Sequence, residues 1–247
     1  MPLVLGVSGS IATGKSLLCR HLVEQHGVAH ADADKVVHRM YDPGKPAFDR
    51  IVGEFGDDIV GADGFIDRKV LGAKVFGDRA RMGALTKAIG DIGGEMKRVI
   101  DEWRATLAAD QVAILEAVNL MEAGYSEWCD ATWLVAAEDE IALPRLMERN
   151  GFSQEEATQR LASARNWRER AGGADHVFHN DGTLEQFLAE VERVFADTRA
   201  AFAAGTLGES KWKPWHDETM TRLAAERVKR EADAGEVSSA AAPPRTS

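Results

Sequence analysis

Positive charge is in short supply in this sequence: 30 Lys and Arg stand against 40 Asp and Glu, a formal net charge of −10. That deficit excludes a general nucleic-acid binder, which wants a basic face. It leaves room for a small polyanionic ligand, because a few Arg and Lys in one cleft suffice locally. Cysteine is scarcer still. Cys19 and Cys129 are the only two, far apart in sequence, so no disulfide framework is built and both read as free buried thiols of a reducing compartment. No apolar run approaches the ~20 residues that a membrane span needs. No leader is visible either, since Met1 is followed at once by an apolar strand without a basic start or small-residue cleavage site. The expectation is a cytoplasmic protein with no membrane partner. At 247 residues, with 45% hydrophobic and 28% charged side chains, the composition is that of a globular chain with one large or two modest domains.

Against these absences one stretch stands out. Gly9-Ser10-Ile11-Ala12-Thr13-Gly14-Lys15-Ser16 fits G-x-x-x-x-G-K-[ST], a loop that wraps phosphates. The run Leu3 to Val7 before it reads as a buried strand, and Leu17 to Val23 after it as a helix. Gly9 and Gly14 leave room where the backbone must approach the ligand closely. The helix start aims N–H groups and a positive dipole end at the phosphates. Lys15 adds a cation for the β- and γ-phosphates, and the Ser16 hydroxyl is placed to ligate Mg²⁺.

Four further strands are predicted: Val28 to Ala31, Val112 to Leu115, Ala131 to Ala136, and His176 to Asn180. The second ends in Asp32-Ala33-Asp34. Ligands of open α/β sheets gather at the carboxyl ends of strands, so a carboxylate there can take a proton from an attacking hydroxyl or hold Mg²⁺ through water. A competing reading has both Asp residues only capping a helix that starts at Lys35. His30, Asp32 and Asp34 alternate, the pattern of a metal site on one strand face, but a separate transition-metal site is the weaker reading beside a loop that already implies Mg²⁺. Glu116 closes the third strand, either to hold Mg²⁺ through water or as a solvent carboxylate.

Residues 42–107 hold few strand signals and read as a helical insertion. Helical spacing runs from Ala47 to Phe55, Asp67 caps a helix with Val70, Leu71 and Val75, and Asp78 to Leu107 is helical with a break expected at Gly90, Gly93 and Gly94. Glu138 to Asn150 places Arg145 and Arg149 on one face. Pro144 should kink that helix or move its start to about Leu143. Ser153 to Glu156 is a capping box opening a helix with Arg160, Arg165, Arg168 and Arg170, followed by Gly172-Gly173. An arginine-rich helical pair beside a glycine hinge suits a lid over phosphates; a solvated helix with Glu–Arg pairs is the alternative. Thr183 caps a last amphipathic helix. Lys211-Trp212-Lys213-Pro214-Trp215 is either an exposed patch for a partner or packs back on the domain. Residues 217–233 are weakly helical, and 235–247, rich in Ser, Ala and Pro, are expected to be disordered.

With these residues in view, the chain resembles the dephospho-coenzyme A kinase family from about Leu3 to Phe195. The resemblance is carried by the phosphate loop, Asp32-Ala33-Asp34, Asp42-Pro43-Gly44, Asp63-Gly64-Phe65-Ile66-Asp67-Arg68, Arg145 with Arg149, and Ala174 to Gly182. It implies an α/β phosphate-loop NTPase core (1–41, 108–137 and 175–204) with a parallel five-stranded sheet, a helical acceptor-binding insertion (42–107), a helical lid (138–174) and a C-terminal extension (205–247). It implies ATP and Mg²⁺ as cofactors and γ-phosphoryl transfer to the ribose 3′-hydroxyl of dephospho-coenzyme A. The resemblance puts the base at Asp34 and further catalytic roles on Lys15 and Arg149. Phosphate contacts fall on Ala12, Thr13, Gly14, Lys15, Ser16 and Leu17, with Arg145, and the acceptor side on Asp32, Arg68 and Glu116. No nucleic acid is implied as partner, and the assembly expected is a monomer or weak homo-oligomer. The chain departs from the family in four places. A His-Pro pair is replaced near Gly90-Asp91, Pro-Leu-Leu by Val118-Asn119-Leu120, a lid Gln by Ala164, and an Arg by His38. Two other readings stay open: a kinase of the same build with another nucleotide or small hydroxyl acceptor, and a non-catalytic nucleotide binder with the tail as an interaction arm.

Overall fold

The structure is a computed structural model that describes the backbone of residues 1–240 and the side chains of residues 1–228. Five strands, β1 (Leu3–Gly9), β2 (Ala29–Asp32), β3 (Val112–Glu116), β4 (Ala131–Ala136) and β5 (His176–His179), form one sheet in the order β2-β3-β1-β4-β5. Every pairing is parallel, as the short apolar strands separated by helical stretches predict. All seven residues of β1 are buried, because helices cover both faces of the sheet. Leu3, Leu5 and Val7 pack into one layer with Leu18 and Leu22 of α1 (Lys15–His26) and Phe187, Val191 and Phe195 of α10 (Leu184–Ala203). Val4, pointing the other way, packs with Val36 of α2 (Ala33–Met40) and Met96 and Ile100 of α6 (Ile92–Thr106). The period-two alternation of a strand thus serves two helical layers at once.

The helical insertion has its own core. Ile51 and Phe55 of α3 (Pro46–Phe55), Leu71 and Val75 of α4 (Arg68–Val75), and Ile89 of α5 (Arg79–Ile89) enclose Ile59 and Ile66. Asp67 caps α4, accepting from the N–H groups of Lys69 and Val70. The expected break falls at Gly90 alone, whose φ of 104° closes α5, while Asp91 caps α6 and takes Gly93 and Gly94 into its first turn. Helix α2 begins two residues earlier than the sequence suggests, at Ala33, because Asp32 is its cap and accepts from the Asp34 N–H.

Several expectations on the lid side need correction. Helix α7 (Asp139–Asn150) starts at Asp139 with Pro144 inside it; a proline there costs one i→i−4 bond and does not move the start. The arginine-rich helix is two helices, α8 (Gln154–Ala162) and α9 (Trp167–Arg170). Arg170 is no lid cation: it is 2% exposed and is held by Glu122, the Ser8 hydroxyl and the Val118 carbonyl. Gly172-Gly173 is no free hinge, since a Cβ on Gly173 would lie 2.5 Å from the Trp215 ring. The Trp–Lys patch packs back on the domain. Trp212 is buried and donates from Nε1 to the Met121 carbonyl at 2.8 Å, and Trp215 Nε1 donates to the Glu169 carbonyl at 2.9 Å. These side chains open α11 (Trp212–Ala240), which also carries residues 235–240, expected to be disordered; 241–247 lie outside the described residues. Among the described residues no helix is long and apolar enough to cross a membrane.

Candidate active site

The phosphate loop leaves the carboxyl end of β1, at the centre of the sheet, and enters α1. Most helices here start under a side-chain cap: Asp32, Asp67, Asp78, Asp91, Ser153, Asn166 and Thr183 each accept a first-turn N–H. Helix α1 has none. Its N-cap is Gly14, at φ 101°, so no side chain occupies its first-turn N–H groups. A helix N-terminus left open in this way is a site for an anion. Gly14 also admits Asn180, whose Nδ2 donates to the Thr13 carbonyl at 2.9 Å; a Cβ on Gly14 would stand 2.3 Å from that nitrogen. Asn180 is thus a buried clamp on the loop. Its sequence signal was only its place in the segment that closes β5.

Glu116, at the carboxyl end of β3, lies under the loop, 2% exposed. Its Oε1 pairs with Lys15 Nζ and accepts from Ser16 Oγ at 2.6 Å, and its Oε2 lies 2.9 Å from His30 Nε2. Burial pushes this carboxyl up, but the His30 hydrogen bond, the Lys15 charge and the Lys15 and Ser16 hydrogen bonds outweigh it and hold the group well below the usual carboxylate range. The solvent-carboxylate reading of Glu116 is therefore wrong, and so is the grouping of His30 with Asp32 and Asp34.

Around the loop opens a cleft of about 780 Å³. It is lined by Ala12, Gly14, Lys15, Ser16 and Leu17 of the loop and α1, by Asp34 from the first turn of α2, and by Arg145 and Arg149 of α7. Arg160 of α8 and Arg165 beyond it also line it, as do Arg20 of α1, Val118 and Ala164. Arg145 Nη1 also donates to the Asn180 carbonyl at 2.8 Å, which ties the root of α7 to the loop's clamp. Thr13 is buried and turns inward, its Oγ1 donating to the Ser10 carbonyl. Ser10 Oγ donates to the Arg165 carbonyl, so the loop and the lid touch directly. Glu122 pairs with Arg165 at 3.6 Å and Arg170 at 2.9 Å, joining the lid to the segment after β3. Nothing local in the sequence marks Glu122 or Arg20.

A second hollow, about 450 Å³, is lined by Lys35, His38, Arg39, Tyr41, Phe65 and Arg68 among others. Helix α2 serves both hollows: Asp34 faces the first and His38, one turn on, the second. Arg68 Nη1 donates to His38 Nδ1 at 2.8 Å. Burial, and then the Arg68 charge, push the His38 pKa down, which keeps the ring a neutral acceptor. Of the three residues expected on the acceptor side, Arg68 lines this hollow, Asp32 caps α2, and Glu116 lies beneath Lys15.

Comparison with known proteins gives the chain a family. The dephospho-CoA kinase family model matches residues 3–186. A dephospho-CoA kinase of Symbiobacterium thermophilum is 37% identical over 76% of this chain and 78% of its own length. That of Carboxydothermus hydrogenoformans is 32% identical over 86% and 96%. Among solved structures, TT1252 from Thermus thermophilus has a TM-score of 0.63 at 30% identity, covering 79% of this chain and 97% of that one. A Campylobacter jejuni dephospho-CoA kinase shares the fold, with a TM-score of 0.54 at 22% identity and coverage of 78% and 96%. With a family model that matches most of the chain and relatives more than 30% identical over three quarters or more of it, this chain belongs to the dephospho-CoA kinase family.

Proposed function

We propose that the cleft carries out the family's reaction on this chain's own residues: transfer of the ATP γ-phosphoryl group to the ribose 3′-hydroxyl of dephospho-coenzyme A. The acceptor oxygen forms a bond to the γ-phosphorus, the bond from that phosphorus to the β–γ bridging oxygen breaks, and ADP leaves. The hydroxyl proton goes to Asp34. The open N–H groups from Gly14 to Ser16 and the Lys15 ammonium hold the phosphate chain, with Leu17, whose N–H donates to the Gly14 carbonyl, closing the first turn behind them. Arg145 and Arg149 offset the charge that spreads over the moving group, which is where such enzymes gain most of their rate. The single observation that supports this assignment best is that Asp34, Lys15, Ser16 and the α7 arginines line one cleft. The adjoining hollow with Arg68 and His38 is the natural seat for the rest of the acceptor.

Ser16 Oγ and the Glu116 carboxylate are oxygen donors 2.6 Å apart, a donor set that fits Mg²⁺. Ser16 would hold the ion directly and Glu116 through water; when bound, the ion supplies charge neutralisation at the β- and γ-phosphates. We place the reaction in the cytoplasm, where two reduced thiols persist, and in a monomer or weak homo-oligomer.

The test is direct. Purified protein given ATP and dephospho-coenzyme A should form ADP and coenzyme A in equal amounts, and a Lys15→Ala variant should not. Turnover no higher than that variant's, or a different hydroxyl compound phosphorylated far better in an acceptor panel, would overturn the assignment.

A further inference from the structure

Under the phosphate loop lies a set of donors of which only Glu116 is drawn on by Mg²⁺. Cys19 Sγ, on the second turn of α1, His30 Nε2, on β2, and a Glu116 carboxylate oxygen lie within 4.8 Å of one another. They are the only such group of three His, Cys, Asp or Glu found among the described residues. Thiolate, imidazole and carboxylate together are a donor set for Zn²⁺ and its borderline-soft relatives, not for Mg²⁺. A tetrahedral ion with bonds of about 2.0–2.3 Å needs its ligand atoms roughly 3.3–3.8 Å apart, so donors that lie within 4.8 Å of one another close on it by side-chain shifts of about 1 Å. The donors come from three different elements, so the sheet and α1 hold them in place. Entry is from the side of His30, whose side chain is 25% exposed, whereas Cys19 is fully buried.

We propose that Cys19, His30 and Glu116 form an inhibitory site for a thiophilic divalent cation such as Zn²⁺. Binding displaces the proton of the Cys19 thiol, leaves His30 neutral and draws on the Glu116 Oε2 side, the oxygen that now faces His30. The other oxygen, Oε1, holds Lys15 and Ser16. A dication on the far side of one carboxylate drains the charge that holds these two, and it places a second positive centre beside the Lys15 ammonium. The same charge opposes Mg²⁺ at Ser16. Zinc occupancy therefore turns down the kinase while leaving the fold in place. Two features limit the affinity. Burial raises the thiol's pKa, and Lys15 repels the entering ion, so binding strengthens as pH rises and the proton becomes easier to lose.

The protein's two cysteines make the site easy to interrogate. Titration of the nucleotide-free protein with Co²⁺ should give a near-ultraviolet thiolate-to-metal charge-transfer band that saturates at one equivalent. The band should be absent in Cys19→Ala and Cys19→Ser and kept in Cys129→Ala, the other buried thiol. With Mg²⁺ and ATP in excess, one to a few equivalents of Zn²⁺ over protein should lower turnover about tenfold or more, and a chelator should restore it. Both Cys19 variants should keep wild-type turnover without zinc and resist inhibition with it. Cys19→Ser keeps a hydroxyl for Glu116 and guards against a packing defect in the alanine. No thiolate band in the wild type, or a band that survives loss of Cys19, overturns the site. Equal zinc inhibition of wild type and both Cys19 variants overturns its role in regulation. The spectroscopic arm does not depend on the kinase reading and the turnover arm does, so failure of one is distinguishable from failure of the other.

Discussion

At the scale of single residues, the site works by keeping one carboxylate in the open and another sealed. Asp34 is on the cleft wall, where a substrate hydroxyl can reach it. Glu116 is 2% exposed and occupied by Lys15, Ser16 and His30. On the proposed assignment, the proton acceptor and the positioning carboxylate are separated by access. Asp34→Asn should lower kcat by about 10²–10⁴-fold, the usual worth of a general base. It should leave the dissociation constant of ATP, read by calorimetry, nearly unchanged, because the loop and the arginines that hold the phosphates are untouched. Equal losses in binding and turnover would move Asp34 out of the base role. Glu116 makes a different prediction, in stability. Its folded pKa is depressed, so its ionised form stabilises the fold at pH values above the unfolded range near 4.3, and that contribution is lost as pH falls through the folded value. Wild type should therefore be the more stable of the pair with Glu116→Gln at pH 7. The difference in melting temperature should close progressively below about pH 4.5. A gap that stays constant from pH 7 to pH 4 would show that the carboxylate's charge is not what the pocket stabilises.

At the scale of elements, the start of the C-terminal extension packs as part of the core. Trp212 and Trp215 at the start of α11 bond to carbonyls of Met121 and Glu169, and Trp215 covers Gly173. Asp175 ties the approach to α11 to the sheet, taking the Lys211 N–H, the Ser210 hydroxyl and the Thr132 N–H of β4. This bracing lies outside the family match, which ends at residue 186, yet it backs the Glu122–Arg170 pair and, through Glu122, the lid residue Arg165. Trp212→Ala should cost about 3–5 kcal/mol, the range for emptying a buried Trp site, measured by urea unfolding. A chain ending at Ala204 should lose at least as much. Values within about 0.5 kcal/mol of wild type, as for surface changes, would return the patch to its exposed reading. The contrast also shows which elements can be read from sequence. The phosphate loop, the Asp67 cap and the capping boxes at Ser153–Glu156 and Thr183–Gln186 are patterns three to eight residues long, and all form. The contacts that were misread, left open or missed join residues far apart: Arg170 to Glu122 over 48 positions, Trp212 to Met121 over 91, Asn180 to Thr13 over 167. An arginine series has the same local pattern whether it lines the cleft, as Arg160 and Arg165 do, or meets a buried glutamate, as Arg170 does. Only the fold separates the two.

At the scale of the whole molecule, charge is sorted by place. The chain carries −10, yet Lys15, Arg20, Arg145, Arg149, Arg160 and Arg165 line the phosphate cleft against Asp34 alone. A polyphosphate is repelled by the distant surface and attracted by the near wall, and salt weakens both. The near wall should dominate, because its cations approach the phosphates within a Debye length, about 10 Å at 0.1 M, while most of the negative charge lies farther off and is screened already. KM for ATP should therefore rise about three- to tenfold as KCl goes from about 0.05 to 0.5 M, with kcat changing much less. The two lid arginines should own part of that slope. Arg160→Ala and Arg165→Ala should each raise KM at low salt and flatten its salt dependence. Arg170→Ala should leave the slope as it is and lower stability instead, since its guanidinium is spent on Glu122 inside the protein. A KM that is flat or falling with salt would mean that the acidic surface, not the arginine-lined cleft, sets how ATP approaches. The same series would then give Arg160 and Arg165 no larger share than Arg170.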